Sequence, residues 1–187
     1  SLEGRTGFIT GGAQGIGKTI THAFAELGAD VAIVDLNIQK AKNTAAEISQ
    51  ATGGKILAYE CNVTDPVSVG KMIVNYEKDF STIDFAVNNA GIFNGDAAID
   101  ISPEDFKAVI DVNLNGVFFT AQAAARLMVK LNTGGSIIST ASMSAHIVNI
   151  PQTIANYCAA KAGVVQLTKA LAVEWAKYKI RVNCISP

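Results

Sequence analysis

Val31-Ala32-Ile33-Val34 is an unbroken apolar run that stops at Asp35. Such a run is too short for a helix, and a strand with one wet face would alternate polar with apolar side chains. A strand that is apolar at every position is covered on both faces. Strands of that kind belong to parallel sheets, because the crossover between parallel neighbours is long enough to form a helix lying across the sheet. The rest of the chain keeps the same alternation. Further strands are read at Arg5–Thr10, Lys55–Cys61, Ile83–Asn88, Gly135–Thr140 and Ile180–Ile185. Residues 15–28 place Ile16, Ile20, Ala23, Phe24 and Leu27 on one expected helical face, closed by Gly28. A polar-faced helix is expected over 38–51, ended by Gly53-Gly54, and Asp65-Pro66 opens a third, since proline suits a first turn. A long helix runs from the Ser102 cap to Lys130, and another spans 152–178.

This pattern predicts an α/β fold, a single doubly wound parallel sheet over residues 1–187. The length suits one domain, and 49% hydrophobic against 17% charged residues is the balance of a folded globular chain. A net charge of −1 with no basic stripe argues against a nucleic-acid partner. The most apolar helical stretch, Val117 to Val129, is broken by Thr120, Gln122 and Arg126, so no membrane span is expected. Cys61, Cys158 and Cys184 are odd in number, far apart and without metal-ligand spacing. A reduced, cytoplasmic setting and no metal site are expected.

Thr10-Gly11-Gly12-Ala13-Gln14-Gly15-Ile16-Gly17 lies between the first strand and the first helix. Glycines there let backbone approach a pyrophosphate, and the free amides of a helix N-terminus face it. Strand, glycine turn and helix in that order make a dinucleotide-binding, Rossmann-like reading. Asp35 ends the second strand, where an acid accepts bonds from the adenosine ribose hydroxyls and repels a 2′-phosphate. Gln14 in the turn adds no cation, so NAD is the expected cofactor; the competing role for Asp35 is a helix cap.

The glycine turn is joined by Asn88-Asn89-Ala90-Gly91, by Asn113 in a long helix, by Ser142 past the fifth strand, and by Tyr157-x-x-x-Lys161. Together these closely resemble the short-chain dehydrogenase/reductase family over essentially the whole chain. The resemblance implies cofactor contacts from Gly11, Gln14, Gly15, Ile16, Gly17, Asp35, Leu36, Asn62, Val63, Asn89, Ala90, Gly91, Tyr157, Lys161 and Pro187. Asn62 stands where the family usually has an acid against the adenine edge; its carbonyl oxygen can still accept from the adenine amino group. Asn88 either contacts the cofactor or ties neighbouring strands together.

The resemblance also implies hydride exchange between NAD(H) and an alcohol/ketone pair, with Ser142, Tyr157, Lys161 and Asn113 catalytic. A carbonyl that takes up hydride needs a proton donor beside it. Tyr157 and Lys161 are four apart in a helical segment and share a face, which puts a cation next to a phenol whose charged form it favours. Ser142 would bond the substrate oxygen, with Ser144 the alternative. Asn113 would bend its helix and hold a water on the route to the lysine; an ordinary helix-bend or interface residue is the other reading. His22 is read as a surface or packing residue, Asp111 as a solvated helix residue and Cys158 as packing.

Residues 140–152, TASMSAHIVNIPQ, resemble the polyol and ketose branch of the family, which makes Met143, His146, Asn149 and Gln152, with Ser142 and Tyr157, the expected substrate residues. Apolar residues in excess of one sheet face (Phe118, Phe119, Leu171, Trp175) imply a homodimer or homotetramer. The chain stops at Ile185-Ser186-Pro187, where the family continues, so the pattern is incomplete at its C-terminus. A non-catalytic dinucleotide-binding or scaffold protein of the same fold is the competing class.

Overall fold

The structure, a computed structural model, describes residues 1–187. Six strands form one sheet: β1 (Thr6–Thr10), β2 (Asp30–Asp35), β3 (Ile56–Glu60), β4 (Phe85–Asn88), β5 (Gly135–Thr140) and β6 (Ile180–Ile185). All neighbours are parallel, in the order β3-β2-β1-β4-β5-β6. The order reverses direction between β1 and β4, and a crevice opens there at the carboxyl ends of the strands. The helices are α1 (Gly15–Glu26), α2 (Ile38–Thr52), α3 (Pro66–Phe80), α4 (Pro103–Ile110), α5 (Gly116–Leu131) and α6 (Ala155–Trp175).

The apolar run of β2 is divided between two layers. Val31 and Ile33 pack with Ala25, Ala41 and Ile48 of α1 and α2, whereas Ala32 and Val34 face Met72, Ala121 and Ala124 of α3 and α5. Strand period two sends alternate residues to opposite faces, so both must be apolar. The cover ends at one edge. On β6, Ile180 and Val182 are buried with Leu171 of α6, while Arg181 and Asn183 on the other face are exposed.

Three expectations need correction. The buried stripe of α1 is Gly17, Thr21 and Ala25; Ile16 and Leu27 are 53% and 51% exposed. Small residues win because the helix lies close on the sheet. Ile20 and Phe24 flank the contact, and the Phe24 ring meets Phe85 edge-on at 5.0 Å. The helix expected over 103–130 is interrupted at Asp111–Asn115 by a π turn, in which the Gly116 N–H bonds the carbonyl of Asp111. The helix expected from 152 begins at Ala155, because Gln152 N–H donates to the Asn149 carbonyl and the Thr153 hydroxyl to the Gly95 carbonyl. At its far end Ala176–Tyr178 tighten into a 3₁₀ turn. Strand ends otherwise move by a residue or two, Ile83 and Asp84 lying just before β4.

No helix is long and apolar enough to cross a membrane. The three cysteines are free, and no group of three or more His, Cys, Asp or Glu side chains is placed to share an ion.

Candidate active site

The turn after β1 is shaped by close approach. Gly11 has φ +63°, a conformation that favours glycine, and a Cβ there would stand 2.9 Å from the Cα of Ala90. A Cβ on Gly17 would fall 2.2 Å from the Gly11 carbonyl oxygen and 2.7 Å from Asn89 Nδ2. The turn is laced to the loop after β4: the Thr10 hydroxyl oxygen accepts from the Asn89 and Ala90 amides, both at 3.0 Å, and Asn89 Nδ2 donates to the Thr10 carbonyl at 3.2 Å. The first turn of α1 carries no acid, and its cap residue Gln14 makes no side-chain bond to it. An anion can therefore meet its amides.

A cleft of about 390 Å³ opens over this turn. Gly11, Gln14, Ile16, Asp35, Leu36, Asn62, Val63, Asn89, Ala90 and Gly91 line it, all singled out from sequence. Gly15, Gly17, Tyr157, Lys161 and Pro187 lie outside the lining; Gly17 is buried beneath the turn, and the Pro187 carbonyl accepts from Met143 N–H. Val34, Cys61, Ile92 and Val112 line the cleft unforeseen. Val34 and Cys61 stand next to predicted residues at carboxyl ends of strands, which was a usable signal. Val112 arrives from the π turn, far along the chain, where sequence offers none.

Two polar residues differ in detail from the expectation. Asp35 does not cap α2: Asn37 does, accepting from Lys40 N–H at 3.0 Å. The Asp35 carboxylate instead accepts from Ala13 N–H at 3.2 Å and Asn37 N–H at 3.0 Å, bracing the glycine turn against the end of β2. The Asn62 carbonyl oxygen already accepts from the amide and hydroxyl of Thr64, at 3.1 and 2.9 Å. Asn62 therefore offers the cleft its Nδ2 donor, and acceptance from an adenine amino group is displaced by this local turn.

Asn88 ties elements together: its carbonyl oxygen accepts from the Thr120 hydroxyl at 2.8 Å, and Nδ2 donates to Ser139 at 3.4 Å. Asn113, fully buried in the π turn, clamps the backbone of Ile92, Oδ1 accepting from its N–H at 2.8 Å and Nδ2 donating to its carbonyl at 2.7 Å. One bond at each end of that amide is thus committed to the loop after β4, leaving one acceptor and one donor position on the side chain.

The chemical end is assembled where β5 stops and α6 starts. Lys161 is 3% exposed, and its Nζ donates to the Thr140 carbonyl at 2.6 Å. Burial pushes its pKa down to about 8. The same ammonium lies 5.5 Å from the ring centre of Tyr157, and Phe93 meets that ring edge-on at 5.8 Å. The tyrosine is thus at the carboxyl end of the sheet, between the loop after β4 and the end of β5. Ser142 caps the 3₁₀ turn Met143–Ala145, its oxygen accepting from Ser144 N–H at 3.2 Å. With that acceptance made, its O–H remains as a donor. Ser144 is equally buried.

The expected substrate residues are dispersed along the next loop. Met143 is 45% exposed and its sulfur accepts from Asn149 Nδ2 at 3.3 Å; exposed His146 lies 3.3 Å from the Ser186 hydroxyl; Gln152 is exposed. Phe93, which sequence reading passed over, packs edge-on against the Tyr157 ring. His22 sits on the surface of α1, 3.5 Å from Glu26.

A family model described as enoyl-(acyl carrier protein) reductase matches residues 11–187. The chain is 47% identical to sorbose reductase of Candida albicans, covering all of this chain and 66% of that protein. It is 43% identical to a probable NADP-dependent mannitol dehydrogenase of Yarrowia lipolytica, covering all of this chain and 67% of that one. The chain thus spans about two thirds of the length of these relatives. A crystal structure of a short-chain type dehydrogenase/reductase from Mycobacterium marinum superposes with a TM-score of 0.97 at 48% identity, covering all of this chain and 73% of that one.

Proposed function

The chain belongs to the short-chain dehydrogenase/reductase family, and on that premise we propose that it is an oxidoreductase moving hydride between NAD(H) and a polyol/ketose pair. The observation that carries this is the placing of Tyr157 and buried Lys161 at the carboxyl ends of the strands, beside a glycine-lined cleft. When bound, the coenzyme supplies or accepts the hydride. Gly11, Asn89, Ala90 and Gly91 would line its path, and Asp35 would accept from the adenosine ribose, each carboxylate oxygen keeping a lone pair beyond its backbone bond. Sorbose reductase and mannitol dehydrogenase among the relatives support the polyol and ketose class.

The proton is the protein's part. In ketone reduction Tyr157 gives its phenolic hydrogen to the substrate oxygen as hydride reaches carbon, and in the reverse direction it takes that hydrogen back. Lys161 stabilises the phenolate left behind, and it is held for that by Thr140. Ser142, its oxygen anchored on the Ser144 amide, directs its O–H to the substrate oxygen. Asn113 acts at one remove, fixing Ile92 and with it the loop that carries Phe93.

Phe118, Val129, Leu171, Trp175 and Tyr178 line an open groove between α5 and α6, which supports association of copies as a dimer or tetramer; a monomeric mass by light scattering would refute it. Three free cysteines support a cytoplasmic location. The functional test is NADH consumption against a panel of ketoses and simple ketones. Turnover of a ketose, with Tyr157→Phe slower by about 10³-fold, is expected. Activity confined to simple ketones would overturn the substrate class, and an unimpaired Tyr157→Phe would overturn the chemistry.

A further inference from the structure

Three helices take a cap from the side chain just before their first turn: Asn37 for α2, Asp65 for α3 and Ser102 for α4. The helix that carries Tyr157 and Lys161 does not, because Ile154 stands at that position in α6. The first bond within α6 runs from Cys158 N–H to the Ile154 carbonyl, so the Tyr157 N–H is among the leading amides that no helical carbonyl meets. It is met from inside the first turn, by Asn156, whose Oδ1 accepts it at 2.8 Å. A backbone N–H can only donate, so this contact fixes which end of the Asn156 amide is the oxygen. The other end, Nδ2, is buried and finds no acceptor. Asn156 is 1% exposed and lies on the inward stripe of α6 with Ala160, Val164 and Thr168. A buried donor left unpaired lowers stability, and an apolar side chain would fill the same place without that penalty. The amide is therefore explained by what its oxygen holds.

We propose that Asn156 is a positioning residue for Tyr157: by gripping its backbone amide, Asn156 fixes the first turn of α6 and with it the place of the phenol beside Lys161. The inference rests on the hydride-transfer reading of the site and adds a residue to it. The Tyr157 ring is held by packing, edge-on against Phe93, so its place follows its backbone. Lys161 is anchored separately, by the Thr140 carbonyl. Loss of the Asn156 contact therefore shifts the phenol relative to the ammonium and leaves the ammonium where it is. Asn156 acts on the reaction only through the residue it grips.

Steady-state ketose reduction by Asn156→Ala, alone and combined with Tyr157→Phe, tests this. A misplacement of about 1 Å costs on the order of 10²-fold in rate, so a shift of about half that is expected to lower kcat about tenfold. The KM for NADH and the affinity for AMP are expected to change by less than about twofold. In the Tyr157→Phe background no phenolic proton is left to misplace, and the same substitution is expected to slow the residual reaction by less than about twofold. Asn156→Asp, which keeps an acceptor on the first helical turn, is expected to recover most of the loss. An equal loss in both backgrounds would make Asn156 a general prop for the fold and overturn the proposal, as would unimpaired turnover by Asn156→Ala. A crystal structure of Asn156→Ala separates this inference from the reading beneath it. If the unaltered chain reduces no ketose, that reading falls. A phenol that stays in place in the variant brings down this inference alone, whereas a phenol displaced by about 0.5 Å, with Lys161 still on Thr140, supports it.

Discussion

Lys161→Met removes the one buried ammonium at the chemical end while keeping an unbranched stem of similar reach. Burial takes the lysine from 10.5 down to about 8, with desolvation as the cause. At about 1.4 kcal/mol per pH unit, the folded chain opposes that charge by on the order of 3 kcal/mol below pH 8. The side chain is 3% exposed, so little of this is screened. Against it stands the bond to the Thr140 carbonyl at 2.6 Å, worth about 1 kcal/mol net. Methionine is therefore expected to stabilise the unliganded chain by about 2 kcal/mol at pH 7 while abolishing turnover. The pH dependence has a definite sign. Between pH 8 and 10.5 the unfolded lysine still holds a proton that the folded one has released, so the stability of the unaltered chain climbs through that window. The advantage of the variant must shrink in step, vanish at pH ~9.5 and reverse to a deficit of about 1 kcal/mol by pH ~10.5, where only the lost bond to Thr140 remains. Urea unfolding of both proteins from pH 7 to 10.5 measures this, and taking the difference cancels every titration they share. A variant that is less stable at pH 7, or a difference that is flat with pH, would refute the argument.

Three further outcomes follow from the geometry. Gly17→Ala puts a methyl 2.2 Å from the Gly11 carbonyl, so the turn must move; a loss of about 2 kcal/mol of stability and of measurable dinucleotide binding is expected, by urea titration and calorimetry. Asn113→Ala strands the Ile92 amide and carbonyl together. At about 1–3 kcal/mol for each group left unpaired, a loss near 3 kcal/mol is expected in urea, and a loss under about 0.5 kcal/mol would show that water replaces the clamp. Ser142→Ala should depress turnover about 10²-fold with dinucleotide affinity unchanged, whereas Ser144→Ala should spare turnover; the reverse pattern in steady-state kinetics would move the role to Ser144.

Much of the site was legible because its signals are local. The glycine turn announces itself between a strand run and a helix pattern, and Tyr157 and Lys161 are one helical turn apart on α6. Where reading failed, a local rule met a competing contact. Periodicity put Ile16 and Leu27 of α1 inward, but the close seat on the sheet admits only Gly17, Thr21 and Ala25. Position after a strand marked Asp35, and the family resemblance marked Asn62, but neither signal showed that each also accepts from nearby backbone amides. Phe93 and Val112 carried no pattern at all.

The order of apolar runs and turns was enough to determine a parallel sheet with helices on both faces, because strand and helix periods are properties of neighbouring residues. Tertiary structure alone decided that Asn113 grips Ile92, that Lys161 hangs from Thr140 with its charge opposed by burial, and that Lys40 rests on Gln14. Each of these joins positions some twenty residues or more apart, and whether such groups meet depends on how whole elements pack, which no window of sequence contains.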